Sequence, residues 1–284
     1  PETTLLSLHG RALDLVRPHL QPGARLLALT SDGDGPAVLA GLLTATGFGG
    51  SRMTLLEALG GPRERLRTTT ADNFSFGTVD PLNTVAIEVV AAPDARVLAR
   101  AAGLPDHLFE HDGQITKREI RAVTLSALGP RCGEFLWDIG AGSGSVAIEW
   151  MLADPAMRAV AIEGRADRAA RIRRNAAAFG VPGLTVIEET APAALEGLAP
   201  PDAIFIGGGA SDPGVLDASV AALRSGGRLV ANAVTLETEA ALLARHAALG
   251  GELTRIAIAR ADAVGTKTGW RPAMPVTQWA WVKP

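Results

Sequence analysis

Apolar residues along this chain come in short runs set off by turn residues, and the runs alternate between strand-like and helix-like patterns. In the first part, ARLLAL over residues 24–29 reads as a short buried strand and TSDGDGP as a turn. AVLAGLLTATG reads as a helix closed by Gly47, with Pro36 suited to a first helical position. RMTLLEAL is a further apolar segment, strand or short helix, and TVAIEVVA over 84–91 reads as a strand. The stretch PDARVLARAAGLPDHLFEHDGQITKRE breaks the pattern with several turn residues, which places a linker near 92–106.

Beyond the linker the alternation is cleaner. TKREIRAVTLSAL predicts a helix over 116–128, with Thr116 and Glu119 as a capping box. A strand at 135–139 leads into a glycine-rich turn and a helix through Met151. Then come AVAIE, a strand ending in Glu163, and RADRAARIRRNAAAFG, a helix closed by Gly180. LTVIEE and DAIFIGG are strands, and PGVLDASVAALRSGG is a helix with its exit. RLVANAV is a strand, LETEAALLARHAALG a helix, LTRIAIARA a strand and VTQWAWVK the last strand, with GTKTGWRPAMP as a loop between those two. Such alternation predicts an α/β fold with a mainly parallel sheet covered on both faces. Sheets of that kind bind ligands at the carboxyl ends of their strands.

The candidate chemistry centres on FLWDIGAGSGSVAIEW, residues 135–150. A phosphate-binding loop of the nucleoside triphosphatase type needs Lys and Ser or Thr after its glycines, and here Gly144 is followed by Ser145, Val146 and Ala147. A dinucleotide turn needs Gly or Ala where this chain has Ser145, and Asp138 would repel a pyrophosphate. A ligand carrying sulfonium and ammonium groups is not repelled, and its carboxylate can use exposed backbone N–H groups. Glu163, at the end of the next strand, can accept both ribose hydroxyls of a nucleoside. Together these features favour S-adenosylmethionine over a turn that only joins strand to helix.

Composition then narrows the classes. Net charge is −3 with a pI near 6.0, so no global charge draws the chain to nucleic acid or anionic lipid. No apolar run approaches bilayer-spanning length, and PETTLLSLHGR lacks the charged and apolar regions of a signal peptide. The single cysteine, Cys132, excludes an intrachain disulfide and fits a reducing cytoplasm. It lies beside Gly133 with no paired base nearby, so it reads as an ordinary thiol. His107 and His111 stand four apart, but Pro105 and Gly113 break any helix that would bring them together, and no metal site is expected.

DIGAGSGSVAIEW with AVAIE resembles the class I S-adenosylmethionine-dependent methyltransferases, which have a Rossmann-like fold. The longer run LPDHLFEHDGQITKREIRAVTLSAL, leading into LWDIGAGSGSVAIEW, is similar to the decarboxylating precorrin methyltransferases (CbiT type) of cobalamin synthesis, over residues 104–284. LSLHGR, SDGDGPAVLAGLL, LLEALGGPRER and LNTVAIEVV, within residues 1–103, resemble the rear half of a CbiE-type tetrapyrrole methylase, a different fold. That family's two glycine-rich loops, which precede its LHGR region, are not in this sequence, so the chain reads as lacking the first subdomain of that half. The resemblance implies methylation of a precorrin at C5 and C15 by the intact enzyme, C15 by the second domain, with loss of the ring C acetate carboxyl. It implies S-adenosylmethionine as cofactor, a tetrapyrrole substrate, and a homotetramer built through the second domain.

The expected cofactor contacts are Asp138, Gly140, Gly142 and Gly144 at the methionine end and Glu163 at the ribose. By resemblance, Thr190 and Ala191 flank the adenine, and Gln114, Ile115 and Thr116 form a lid beside the cofactor. Gly207, Gly208 and Gly209 close the strand DAIFI and admit a bulky ligand against backbone, Gly207 toward the cofactor and the next two toward substrate. A substrate rich in carboxylates calls for cations, and Lys117, Arg118, Arg121, Lys267 and Arg271 are the candidates. The RADRAARIRR helix reads instead as a solvated face. Two other classes stay open. One is an RNA methyltransferase, for which Trp270, Trp279 and Trp281 could serve as stacking platforms, against an acidic pI and an aromatic content of 4%. The other is an assembly subunit without cofactor.

Overall fold

The computed structural model describes residues 2–284, which divide into two compact units. The first runs to Ala99 and takes in Ala177–Pro182; the second comprises Arg100–Ala176 and Gly183–Pro284.

The first unit holds a five-stranded sheet of β1 (Thr3–Ser7), β2 (Arg25–Leu29), β3 (Arg52–Glu57), β4 (Arg65–Thr70) and β5 (Asn83–Glu88). The order is β1-β2-β5-β3-β4, with β1 and β2 parallel and the other pairs antiparallel. RMTLLE resolves as strand because every second side chain (Met53, Leu55, Glu57) is buried. Helix α1 (Gly35–Ala45) supplies Leu39, Ala40 and Leu43 to the same core, with Pro36 in its first turn. Strands β1 and β4 are not among the elements expected from the sequence pattern. None of their residues is buried, and the apolar alternation that reveals a strand is lost where no face is buried. Glu57 is wholly buried yet charged: Arg65 and Arg67 each grip its carboxylate with two N–H donors, at 2.7–3.0 Å, and the Asp80 N–H adds a fifth bond at 2.9 Å. Burial pushes its pKa up, but those donors outweigh burial and hold it down at about 2.

The second unit is built on seven strands: β6 (Phe135–Ile139), β7 (Arg158–Ile162), β8 (Thr185–Ile187), β9 (Ala203–Ile206), β10 (Arg228–Ala233), β11 (Glu252–Ile256) and β14 (Val276–Val282). Their order is β11-β14-β10-β9-β6-β7-β8. Strands β6 to β10 are parallel, and β14 inserts antiparallel to both β10 and β11. The helices are α2 (Arg118–Leu128), α3 (Ser145–Leu152), α4 (Ala166–Ala178), α5 (Val215–Ala222) and α6 (Leu236–Leu249). Strands β6 and β9 are buried almost end to end, as expected where both faces of a parallel sheet are covered. Trp137, Ile139, Ile162, Ile204, Ile206 and Trp279 form the centre of the core. With β6 and β9 adjacent and their chain neighbours running outward on either side, the order of travel reverses there, and the glycine turn and the three-glycine loop meet at that switch point.

Two local expectations are corrected. Helix α2 starts at Arg118 with Lys117 as its N-cap and no side-chain cap, so Thr116 and Glu119 do not form a capping box. GTKTGWRPAMP is not a plain loop: Lys267–Pro272 forms β13, paired antiparallel with β12 (Ala259–Val264). Every residue of β12 is exposed, so this hairpin carries no amphipathic signature. Trp279 and Trp281 stack on each other inside the unit, and only Trp270 of the three is exposed, so the pair supplies no platform for bases. No helix among the described residues is long and apolar enough to cross a membrane.

Candidate cofactor and substrate cavity

Strand β6 delivers the glycine turn to the sheet's carboxyl edge. Gly140, Gly142 and Gly144 all have positive φ (68°, 60° and 75°). At Gly140 a Cβ would lie 2.7 Å from the carbonyl oxygen of Gly208, so this glycine lets the loops after β6 and β9 pass backbone to backbone. At Gly142 a Cβ would sit 3.3 Å from the carbonyl oxygen of Gln114. The turn is tied down on its other side. Gly140 and Ala141 N–H both donate to the Ile162 carbonyl, at 3.0 and 3.1 Å. The Glu163 carboxylate accepts from Gly142 N–H at 2.9 Å and from Arg165 N–H at 3.1 Å.

A cavity of about 630 Å³ opens over this turn. Its walls include Gln114, Ile115, Thr116 and Lys117, Gly140 and Gly142, Glu163, Thr190 and Ala191, and Gly207, Gly208 and Gly209. Expected residues from five separate segments are therefore brought together. Its volume lies within the range of small-molecule sites, roughly 300–1,000 Å³.

Other expected residues stand elsewhere. Asp138 is 1% exposed and outside the cavity wall: its Oδ2 accepts the Ala147 N–H at 3.0 Å and so anchors the start of α3. Its Oδ1 has no partner. Burial, with the Glu163 charge in support, pushes its pKa up to about 7 against the one lowering contact from Ala147. Gly144 caps α3 and packs toward Ile172 rather than the cavity. Arg118 opens α2 but does not line the cavity. Arg121 cannot meet substrate as expected. It is fully buried, donating to Glu149 at 2.5 Å, to Asp106 at 3.1 Å, to the Thr116 carbonyl at 2.5 Å and to the Leu104 carbonyl. These four bonds commit its guanidinium to fixing the segment that leads into the cavity wall. Lys267 and Arg271 lie on the hairpin away from the wall, Arg271 paired with Asp262 at 2.9 Å.

The wall also holds residues that the sequence pattern does not single out for the site: Glu119, Arg168, Asp212, Asn232, Arg260 and Met274. Arg168 belongs to the helix expected to be a solvated face. It follows Glu163 by only five residues, so its place near the carboxyl end of β7 was readable in principle. Arg168 donates to Asp112 at 2.8 Å, and Asp112 accepts the Gln114 N–H at 3.2 Å. The Arg168 bond, aided by Gln114 and Arg171, holds the Asp112 carboxyl well below the usual range. Asn232 is oriented by Thr124 at 3.0 Å and Gln278 at 2.9 Å. Exposed Cys132 donates to Asp154 at 3.4 Å, which raises the thiol pKa and leaves it a poor nucleophile.

The sheet order, the glycine turn and the acid after β7 together define the Rossmann-like fold of class I S-adenosylmethionine-dependent methyltransferases. A precorrin methyltransferase domain model matches residues 107–283. The precorrin-6Y C(5,15)-methyltransferase (decarboxylating) of a Sinorhizobium species is 67% identical over 99% of this chain, which spans 68% of that relative. The probable cobalt-precorrin-6B C(15)-methyltransferase (decarboxylating) of Saccharolobus solfataricus is 38% identical, over 59% of this chain and 87% of its own length. The crystal structure of the C-terminal domain of precorrin-6Y C5,15-methyltransferase from Rhodobacter capsulatus superposes with a TM-score of 0.63 and 48% identity, covering 66% of this chain and all of that one. The chain belongs to the precorrin-6Y C5,15-methyltransferase family.

Proposed function

We propose that the cavity of the second unit is where a precorrin is methylated from S-adenosylmethionine and loses a carboxyl group as carbon dioxide, a step of cobalamin biosynthesis. The observation that carries this reading is the junction of Glu163 with Gly142 at the carboxyl ends of β6 and β7, inside a cavity large enough for a nucleoside. Relatives named for both the methylation and the decarboxylation support it. In our division residues 104–284 carry the C15 chemistry, because a relative named for C(15) alone aligns with 59% of the chain. Residues 1–103 are then part of a tetrapyrrole methylase domain, and C5 methylation belongs to that domain of the intact enzyme.

The residues present fit the cofactor. Gly140 and Gly142 put backbone where any Cβ would crowd the loops beside them. Glu163 presents a carboxylate for ribose hydroxyls, and Gln114 to Thr116 wall that side of the cavity. Thr190 and Ala191 would flank the adenine and Gly207 would lie against the cofactor, all three being on the cavity wall. When bound, S-adenosylmethionine supplies a methyl group on a sulfonium, open to attack by an electron-rich carbon. The protein's part is alignment and exclusion of water. Gly208, Gly209, Asp212 and Asn232 bound the space for the acceptor, and Lys117 brings positive charge toward its carboxylates. A tetrapyrrole can hold the electron pair left by departing carbon dioxide, so no strong protein base is required.

The same reading makes the substrate a small-molecule tetrapyrrole rather than a nucleic acid, places the protein in the cytoplasm, and assembles it as a homotetramer through the second unit. Titration of the full chain with S-adenosylmethionine tests its foundation: one site is expected, and a folded chain without binding would support the assembly-subunit alternative.

A further inference from the structure

Of the basic residues on the β12–β13 hairpin, Arg260 alone reaches the cavity wall among the described residues. Its Nη2 donates to the carboxylate of Glu119, which stands in the first turn of α2, 141 residues away in the chain, and lines the same cavity. Both side chains are open to solvent, at 49% and 41%. An ion pair so exposed adds little to folding and can exchange partners readily. It also differs from the other arginine on this wall: Arg168 is only 20% exposed and is committed to Asp112, which in turn holds Gln114. Beside Arg260 the wall is apolar, with Ile258, Ala273 and Met274. Guanidinium next to apolar surface suits a flat macrocycle with carboxylates on its rim.

We propose that Arg260 is the residue by which the cavity selects a peripheral carboxylate of its substrate, and that Glu119 stands in for that carboxylate until substrate arrives. This rests on the reading of the substrate as a tetrapyrrole. A carboxylate on the macrocycle takes the guanidinium from Glu119 in a like-for-like exchange, and Met274 and Ile258 take the face of the ring beside it. A neutral or esterified macrocycle gains nothing from the exchange. Glu119 thus acts as an internal competitor that sets the threshold for binding. Arg271, committed to Asp262 outside the cavity, has no part in it.

The test uses the full chain and two probes, a metal-free polycarboxylate porphyrin and its methyl ester, with S-adenosylhomocysteine titrated separately. Arg260→Met is expected to weaken the acid porphyrin roughly tenfold or more, the scale of one lost charged hydrogen bond. Glu119→Gln is expected to tighten it several-fold by releasing the guanidinium. The ester, S-adenosylhomocysteine and the Arg271→Ala control should show wild-type behaviour. Unchanged acid-porphyrin affinity in Arg260→Met, or equal weakening in Arg260→Met and Glu119→Gln, overturns the proposal and leaves the tetrapyrrole reading standing. A wild-type chain that binds S-adenosylhomocysteine but prefers neither porphyrin overturns the tetrapyrrole reading itself.

Discussion

Glu163 and Gly142 are joined across the carboxyl ends of two adjacent strands: the Glu163 Oε2 accepts the Gly142 N–H at 2.9 Å. One side chain therefore fixes the glycine turn and presents an acceptor to the cavity. Glu163→Ala removes both, and affinity for S-adenosylhomocysteine should fall about tenfold or more. Glu163→Gln keeps one acceptor oxygen and should lose less. Calorimetric titration separates the two variants, and wild-type affinity in Glu163→Ala would remove this residue from the site.

Gly142→Ala probes the turn itself. A φ of 60° costs an L-residue about 1 kcal/mol or more, and the new Cβ would sit 3.3 Å from the Gln114 carbonyl. Cofactor affinity should fall well before folding fails. Arg173→Ala is the comparison, since Arg173 is half exposed and its pair with Glu188 is 3.9 Å long. Equal losses in the two variants would displace the cofactor from this turn.

Arg121 is a structural cation. Replacing it with Met strands the buried Glu149 carboxylate, which keeps only the Gly103 and Leu104 N–H donors. Losing one partner of a buried pair costs about 3–5 kcal/mol. Urea unfolding of Arg121→Met should show that loss, and Arg121→Met combined with Glu149→Gln should recover part of it. A stable Arg121→Met with weakened substrate binding would instead return Arg121 to the substrate.

Asp138 makes stability depend on pH in a definite direction. Its carboxyl titrates near 3.8 when unfolded and at about 7 when folded. Between those values the folded state holds a proton that the unfolded state has released. The contribution is fully present below the lower value and is lost as pH rises through the upper one. Asp138→Asn keeps an acceptor for the Ala147 N–H but cannot ionise. Urea midpoints of the two proteins across this range should show the wild type losing ground to the variant as pH rises. Parallel curves would mean that Asp138 is not buried as described.

The legible part of this molecule was the buried parallel sheet. Strands β6, β7, β9 and β10 and the turn at 140–144 could be read directly, because continuous apolar runs and glycines at alternate positions have few other uses. Gly140, Gly142, Glu163 and Gly207 could be placed at one edge because parallel strands all present their carboxyl ends there. Arg121 could not be placed: Glu149, its partner, is 28 residues away, and no local pattern distinguishes a buried arginine from a solvated one. Arg260 was hidden for the opposite reason, since an exposed hairpin has no buried face to mark its strands. Charge alone therefore could not sort the basic residues: of the five expected at substrate, Lys117 lines the cavity, whereas Arg118, Arg121, Lys267 and Arg271 do not.

The most direct measurement combines the full chain with a precorrin and S-adenosylmethionine carrying an isotopically labelled methyl group. Mass spectrometry of the product and detection of released carbon dioxide then read both halves of the reaction. The expected result is transfer of the labelled methyl to the macrocycle with loss of one carboxyl as carbon dioxide, both reduced together in Glu163→Ala. A chain that binds S-adenosylhomocysteine and the precorrin yet transfers no label and releases no carbon dioxide would contradict it.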